Sequence, residues 1–209
     1  MKKISIVLPA LNEEEAIGKV IDEVPVKELE AKGYETEIIV VNNGSTDKTA
    51  EIAAAHGAKV IDEPNRGKGL AIRTGFKSVS GDFVFMLDSD FTYPAGHITQ
   101  MMGLLETGYD VVLGSRLKGS VEHGAMRRLN LFGNHVLAFM ASILYGTRVS
   151  DLCTGCWGFR GPVVNDLRLD AIGFELEANL FTQVARKGYR IAEVPLNYRR
   201  RPTPPNSTP

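Results

Sequence analysis

The 209-residue sequence predicts a single α/β fold, a mainly parallel sheet with helices on both faces. Three observations predict it. Short apolar segments alternate with amphipathic ones, the apolar segments look buried on both sides, and the composition, 44% hydrophobic and 23% charged, is that of an ordinary globular chain.

Taken in order, residues 3–9 (KISIVLP) read as the first strand. Residues 12–24 read as a helix with Asn12 as N-cap and Glu15 in the capping-box position. Residues 36–41 (TEIIVV) form a second strand, 42–47 (NNGSTD) a turn, and 48–57 a helix closed by Gly57. Residues 59–62 (KVID) are a third strand, 69–80 a helix, 82–88 (DFVFMLD) a strand, 95–108 a helix and 110–116 (DVVLGSR) a strand. Farther on, 173–188 read as a helix, 190–198 as a strand, and the Pro-rich end as irregular. In such sheets ligands bind beyond the carboxyl ends of the strands, so the loops after each strand hold the candidate chemistry.

The stretch 129–147 carries no Asp, Glu, Lys or Arg and is flanked by Arg127, Arg128 and Arg148. Asn130, Gly133, Asn134 and His135 interrupt it, so it does not read as a transmembrane span. A core helix is expected, with a helix lying in a membrane interface as the alternative.

The net charge of −1 gives no support to nucleic-acid binding. Charge is nonetheless uneven. From residue 12 to 63 acids outnumber bases 13 to 5, and from 186 to 201 bases outnumber acids 6 to 1, which suits a phosphate-bearing or membrane-surface partner at the carboxyl end. The apolar run at the start is short and gives way to NEEE, so no signal peptide is read and a cytoplasmic location is expected. Cys153 and Cys156 are expected to be reduced packing residues, with a redox pair or half a zinc site as alternatives.

Among the loops, DSD at 88–90 carries the strongest signal. Two carboxylates two residues apart at a strand end repel each other, and a divalent cation of oxygen preference, Mg²⁺ or Mn²⁺, would offset that while keeping positions open for a diphosphate. The competing reading is a strand end and helix cap. NNGSTDKT offers backbone N–H groups that could face an anion at a strand-to-helix turn, and NRGKG places Arg66 and Lys68 between glycines, suited to a nucleotide or phosphate; the alternatives are a tight turn needing Gly44, with Thr46 or Asp47 capping the helix, and an exposed loop. No G-x-G-x-x-G, P-loop, H-E-x-x-H or G-x-S-x-G occurs.

Taken together, IVLPALNEEEAIG, VVNNGSTDKT, NRGKG, MLDSD, GSR, DLCTGCWGFR and GFELEANL with EVPLNYRRR resemble the family-2 inverting glycosyltransferases over nearly the whole chain. Within that family the sequence looks most like the dolichyl- or polyprenyl-phosphate hexose synthases. The resemblance implies a GT-A fold with a Rossmann-like sheet: one catalytic domain over 1–201, nucleotide-sugar-binding over 1–116 and acceptor-binding over 117–201, and a tail over 202–209. It implies that Pro9, Leu11, Glu13, Asn43, Asp47, Lys68, Asp88, Ser89 and Asp90 bind the nucleotide sugar. Asp88 and Asp90 would hold the metal, and Asp90 and Arg116 would act in catalysis. Arg127 or Arg128 and the cluster Arg199, Arg200 and Arg201 would meet the acceptor phosphate or the donor, and Trp157 would wall a pocket or sit in the core. The family's usual DDGS is NNGS here, so amide groups replace carboxylates where the base and ribose are read.

The implied reaction is attack of a polyprenyl or dolichyl phosphate oxygen on the anomeric carbon, with inversion, at the cytoplasmic face of a membrane. A phosphate acceptor is already ionised near neutral pH and needs no strong base. A hydroxyl acceptor would need one, and Asp90, Glu175 or Glu177 would be the places to look. A sugar nucleotidyltransferase and a non-catalytic binding module are the competing classes.

Overall fold

The computed structural model of the chain describes residues 1–173 and 175–202. In chain order the elements are β1 (Lys2–Ala10), α1 (Ile17–Glu23), α2 (Val26–Ala31), β2 (Tyr34–Asn42), α3 (Thr49–Ala55), β3 (Lys59–Asp62), α4 (Lys68–Ser78) and β4 (Phe83–Leu87). They continue with α5 (Ile98–Glu106), β5 (Val111–Val121), α6 (Arg128–Tyr145), β6 (Cys156–Arg160), α7 (Gly161–Asp166), α8 (Leu176–Arg186) and β7 (Ile191–Tyr198). These strands form one sheet in the order β3-β2-β1-β4-β6-β5-β7. Neighbours are parallel from β3 to β4 and between β5 and β7, whereas β6 is antiparallel to both β4 and β5. The expected mainly parallel α/β fold is the fold present.

Alternate residues of β1 enter different cores. Ile4, Ile6 and Leu8 pack with Ile17 and Val20 of α1 and Met101 of α5, while Val7 packs with Ala71 and Ile72 of α4 and Phe181 of α8. Both faces of the sheet are sealed, which is why its strands read as apolar runs. β1 has β2 on one side and β4 on the other, so the winding direction reverses there and the carboxyl ends of β1 and β4 open onto a crevice.

Several expectations need correction. The first helix begins at Ile17 with Ala16 as N-cap, and no capping box forms at Asn12. Asn12 has a positive φ of 55°, and the backbone N–H groups of Asn12, Glu13 and Glu14 donate to Ser45 Oγ, Thr49 Oγ1 and Asp47 Oδ2 of the next loop. With those donors satisfied elsewhere, the residues do not start a helix. Strand β6 was read only as a motif, since it is five residues long and broken by Gly158. Trp157 is fully buried on that strand and stacked on Phe159, the core alternative of the two expected for it.

The core expectation for 129–147 is overturned. In α6 only Asn134, Ala138 and Ala141 are buried, whereas Leu129, Phe132, Phe139, Met140, Ile143 and Leu144 are each more than half exposed. Among the described residues no helix is long and apolar enough to cross a membrane. Cys156 packs in the core and Cys153 is exposed, both as free thiols. The expected tail lies, past Pro202, outside the described residues.

Candidate active site

The crevice is a cleft of about 600 Å³ whose lining includes Pro9, Leu11, Glu13, Asn43, Lys68, Asp88, Ser89, Asp90 and Arg201. Eight of the nine residues expected to bind a nucleotide sugar therefore converge there, from β1, the loop after β2, the start of α4 and the loop after β4. Asp47 does not join them. Its Oδ1 accepts from Thr49 N at 3.0 Å and its Oδ2 from Glu14 N at 3.2 Å, so it ties the two loops behind the cleft together.

Asp88 and Asp90 flank Ser89, which is anchored by donating from Oγ to Pro9 O at 2.6 Å. Asp90 Oδ1 accepts from Thr92 N at 3.1 Å and from Thr92 Oγ1 at 2.6 Å. Between them Phe91 holds a φ of 65°, a conformation unfavourable for a bulky side chain and typical of strain kept at a working site. The Asp88 carboxylate lies against Gly155, where a Cβ would overlap it.

Asp88 Oδ1 is sealed from solvent and lies 2.6 Å from Lys68 Nζ, a buried charge-assisted ion pair. Lys68 Nζ also lies 2.7 Å from Glu177 Oε1 of α8. Burial raises the pKa of Asp88, and Asp90 and Glu177 add to it, while Lys68 opposes. For Lys68, burial works against the ammonium, but the two carboxylates outweigh it and its pKa is raised.

The donor set fits a divalent cation of oxygen preference: two carboxylates two residues apart, Asp88 and Asp90, both lining the cleft. No group of three or more His, Cys, Asp or Glu is gathered for a metal among the described residues. A cation here would need its remaining ligands from water or a bound diphosphate, the usual situation for Mg²⁺.

Asn43 uses its whole carboxamide inside the protein. Its Nδ2 donates to Glu63 O at 3.1 Å and Asn65 O at 2.7 Å, and its Oδ1 accepts from Gly67 N at 2.7 Å. A carboxylate has no donors and cannot make this clamp. Asn42 likewise spans Asp62 Oδ1 and Ser45 N. The carboxamide of Asn43 thus holds the loop that presents Lys68, with both of its N–H donors spent inside the protein.

The arginines part ways. Arg116 does not reach the cleft: its Nε and Nη2 form a fork on Asp151, each at 2.7 Å, and Nη2 also donates to Cys153 O. Asp151 is fully buried and accepts from Asn134 Nδ2 of α6 as well. Arg199 forks onto Glu23. Arg127 and Arg128 are exposed at the start of α6, and Arg200 lines a second cavity of about 620 Å³ that shares Asp90 and Arg201 with the first. Arg201, expected with its neighbours at a phosphate, pairs with Glu13 inside the cleft. Burial raises the Glu13 carboxyl to about 7 against the opposing pull of Arg201. Glu175 is engaged by the backbone of Ile172 and Gly173.

A model of the family described as Glycosyl transferase family 2 matches residues 5–168. The chain belongs to glycosyltransferase family 2. This family-2 glycosyltransferase is 35% identical over 198 residues to a dolichyl-phosphate hexose transferase of Haloferax volcanii, covering 95% of this chain and 83% of the relative. It is 26% identical to a dolichol-phosphate mannosyltransferase of Pyrococcus furiosus, over 94% of this chain and 56% of the relative. Among solved structures it is similar to glucosyl-3-phosphoglycerate synthase of Mycobacterium tuberculosis. The complex of that enzyme with Mg²⁺ and UDP superposes with a TM-score of 0.79 at 28% identity, over 98% of this chain and 73% of that one. A complex with Mn²⁺, UDP and glucosyl-3-phosphoglycerate gives 0.78 at the same identity, over 98% and 73%. The fold is GT-A, as the sequence implied.

Proposed function

We propose that this glycosyltransferase moves a hexose from a nucleotide sugar to a polyprenyl or dolichyl phosphate at the cytoplasmic face of a membrane, with inversion at the anomeric carbon. The observation that carries the lipid acceptor is the apolar outer face of α6, which starts at Arg128 just past Gly124 and Ala125 in the wall of the second cavity. An exposed face of Phe132, Phe139, Met140 and Ile143, with Arg127 and Arg128 at its edge, suits a helix lying on an anionic bilayer. The names of the archaeal relatives support the same acceptor.

In this reading residues 1–116 bind the nucleotide sugar and 117–201 the acceptor. Pro9, Leu11 and Glu13 line the nucleoside end, and Asp88 and Asp90 would hold Mg²⁺ or Mn²⁺, which would supply positive charge for the departing diphosphate. Lys68 and Arg201 line the same space and supply positive charge to the phosphates as negative charge grows. Arg200, Arg127 and Arg128 are the guanidinium groups for the acceptor phosphate, whose oxygen is already an anion. Arg199 and Arg116 act at one remove. Arg199 fixes the strand end against Glu23, and Arg116, through Asp151 and Asn134, fixes α6 to the sheet.

A second reading, transfer to a small soluble phosphorylated acceptor, is favoured by the likeness to glucosyl-3-phosphoglycerate synthase. Flotation separates the two. The wild type should rise with anionic vesicles at low salt, and Phe132→Asp with Phe139→Asp should stay at the bottom. A wild type that never floats contradicts the membrane reading, and dimers dissociated by the same substitutions would assign the face to a second copy.

A further inference from the structure

Glu177 has no task in the reaction as set out above, yet it is placed with care. Its side chain is 8% exposed, it sits in the first turn of α8, and its Oε1 is 2.7 Å from Lys68 Nζ. The lysine is gripped from behind. Gly67 N donates to Asn43 Oδ1, and Gly69 N donates to Ile172 O at 2.9 Å. Glycine is required on both sides, since a Cβ at either position would run into the carbonyl oxygens of Ala171 and Ile172. With the backbone fixed, the ammonium is the adjustable part, and it stands between Asp88 of the DSD turn and Glu177.

A cation bound at Asp88 Oδ1 would compete with the ammonium for that oxygen. The ammonium neutralises Asp88 through this contact, which a cation taking the same oxygen would have to displace. Glu177 offers the ammonium a second carboxylate at nearly equal distance, so Lys68 can leave Asp88 without losing its counter-charge.

We propose that Lys68 is the resident counter-ion of Asp88 in the empty cleft, and that Glu177 is the positioning residue that retains Lys68 when Asp88 is given over to a divalent cation. This rests on the reading above that Asp88 and Asp90 hold such a cation. Lys68, held by Glu177 and facing the cleft, is then released to the diphosphate. Two consequences are distinctive. Without nucleotide the ammonium competes with a divalent cation for Asp88, so the cleft holds the cation weakly. With a nucleoside diphosphate present the competition is relieved, so cation and nucleotide bind cooperatively.

The test is Mn²⁺ titration of the full chain, followed by electron paramagnetic resonance, with and without UDP. Removing the ammonium takes away a competitor and a like charge, so Lys68→Met should bind Mn²⁺ alone roughly tenfold more tightly than wild type. Glu177→Gln removes a nearby negative charge and leaves Lys68 to Asp88 alone, so it should bind Mn²⁺ several-fold more weakly. UDP should tighten Mn²⁺ binding in wild type and much less in Lys68→Met. Lys68→Arg, which keeps the charge, should stay within about twofold of wild type and serves if the methionine variant fails to fold. If both Lys68→Met and Glu177→Gln weaken Mn²⁺ in step with a fall in melting temperature, the pair only holds structure and the proposal is wrong. Asp88→Asn separates the two layers. If it binds Mn²⁺ as wild type does, the metal assignment falls and takes the counter-ion with it, whereas lost binding in Asp88→Asn with no opposite shifts at 68 and 177 overturns the counter-ion alone.

Discussion

Gly155 is where the geometry of the DSD turn is most exposed to a single methyl group. Its carbonyl accepts from Asp88 N at 3.2 Å, and its N–H donates to Tyr93 Oη at 2.7 Å, so its backbone is fixed on both sides. A Cβ at this position would overlap Asp88 Oδ2 and Cγ, and even the farther oxygen, Oδ1, would be only 2.7 Å away. Carbon contacts are comfortable only from about 3.5 Å, so in Gly155→Ala the carboxylate has to shift by the order of 1 Å. A displacement of that size costs on the order of 100-fold in rate when it moves a reacting or positioning group. Overpacking by one methyl group should cost the fold only about 1–3 kcal/mol. The expected result is a folded protein with weakened Mn²⁺ binding and turnover reduced by about two orders of magnitude. Gly103→Ala, at an exposed site on α5 with nothing near the added carbon, is the control and should leave Mn²⁺ binding unchanged. A Gly155→Ala protein with wild-type Mn²⁺ affinity and wild-type turnover would refute the claim that Asp88 must stay where it is.

Three further outcomes follow from the same geometry. Asn43→Asp replaces two donors with a carboxylate facing the Glu63 and Asn65 carbonyls, and urea unfolding should show a loss on the order of 2 kcal/mol; equal or greater stability would contradict the clamp. Arg116→Ala leaves Asp151 as an uncompensated buried charge, and scanning calorimetry should show the melting temperature lowered by roughly 10 °C; an unchanged melting temperature would show that the fork is dispensable. Burial raises Glu13 to about 7, so the folded chain keeps a proton that the unfolded chain releases at lower pH. Its stabilising contribution is therefore complete below the unfolded value of 4.5 and is lost as pH rises through about 7, a change on the order of 3 kcal/mol. Glu13→Gln should remove that part of the slope, and parallel stability–pH curves for variant and wild type would contradict the shift.

Six of the seven strands and the DSD turn were legible because local sequence dictates them. A parallel strand sealed on both faces has to be apolar, and two carboxylates at its end have few uses. What was not legible depends on distant partners. Asn12 carries a helix-cap signature, but residues about 33 positions away satisfy its neighbourhood, and the helix starts later. Lys68 meets Glu177 across 109 residues and Arg201 meets Glu13 across 188, so neither pair leaves a local signal. The GSR motif pointed to phosphates, yet Arg116 turns inward because Asp151, 35 residues on, offers a buried bidentate partner. For α6 the missing charges suggested burial. Only the packing shows that Asn134, Ala138 and Ala141 face the protein while the large apolar side chains face out.

The central claim is metal-supported transfer of a hexose to a lipid phosphate. The direct measurement mixes the purified chain with Mn²⁺, a labelled UDP- or GDP-hexose, vesicles containing a polyprenyl phosphate, and a soluble phosphorylated acceptor, and then separates organic from aqueous products. Label in the organic phase, abolished by chelator and by Asp90→Ala, is the predicted result. Label found only in the soluble acceptor, or transfer that survives Asp90→Ala, would contradict it.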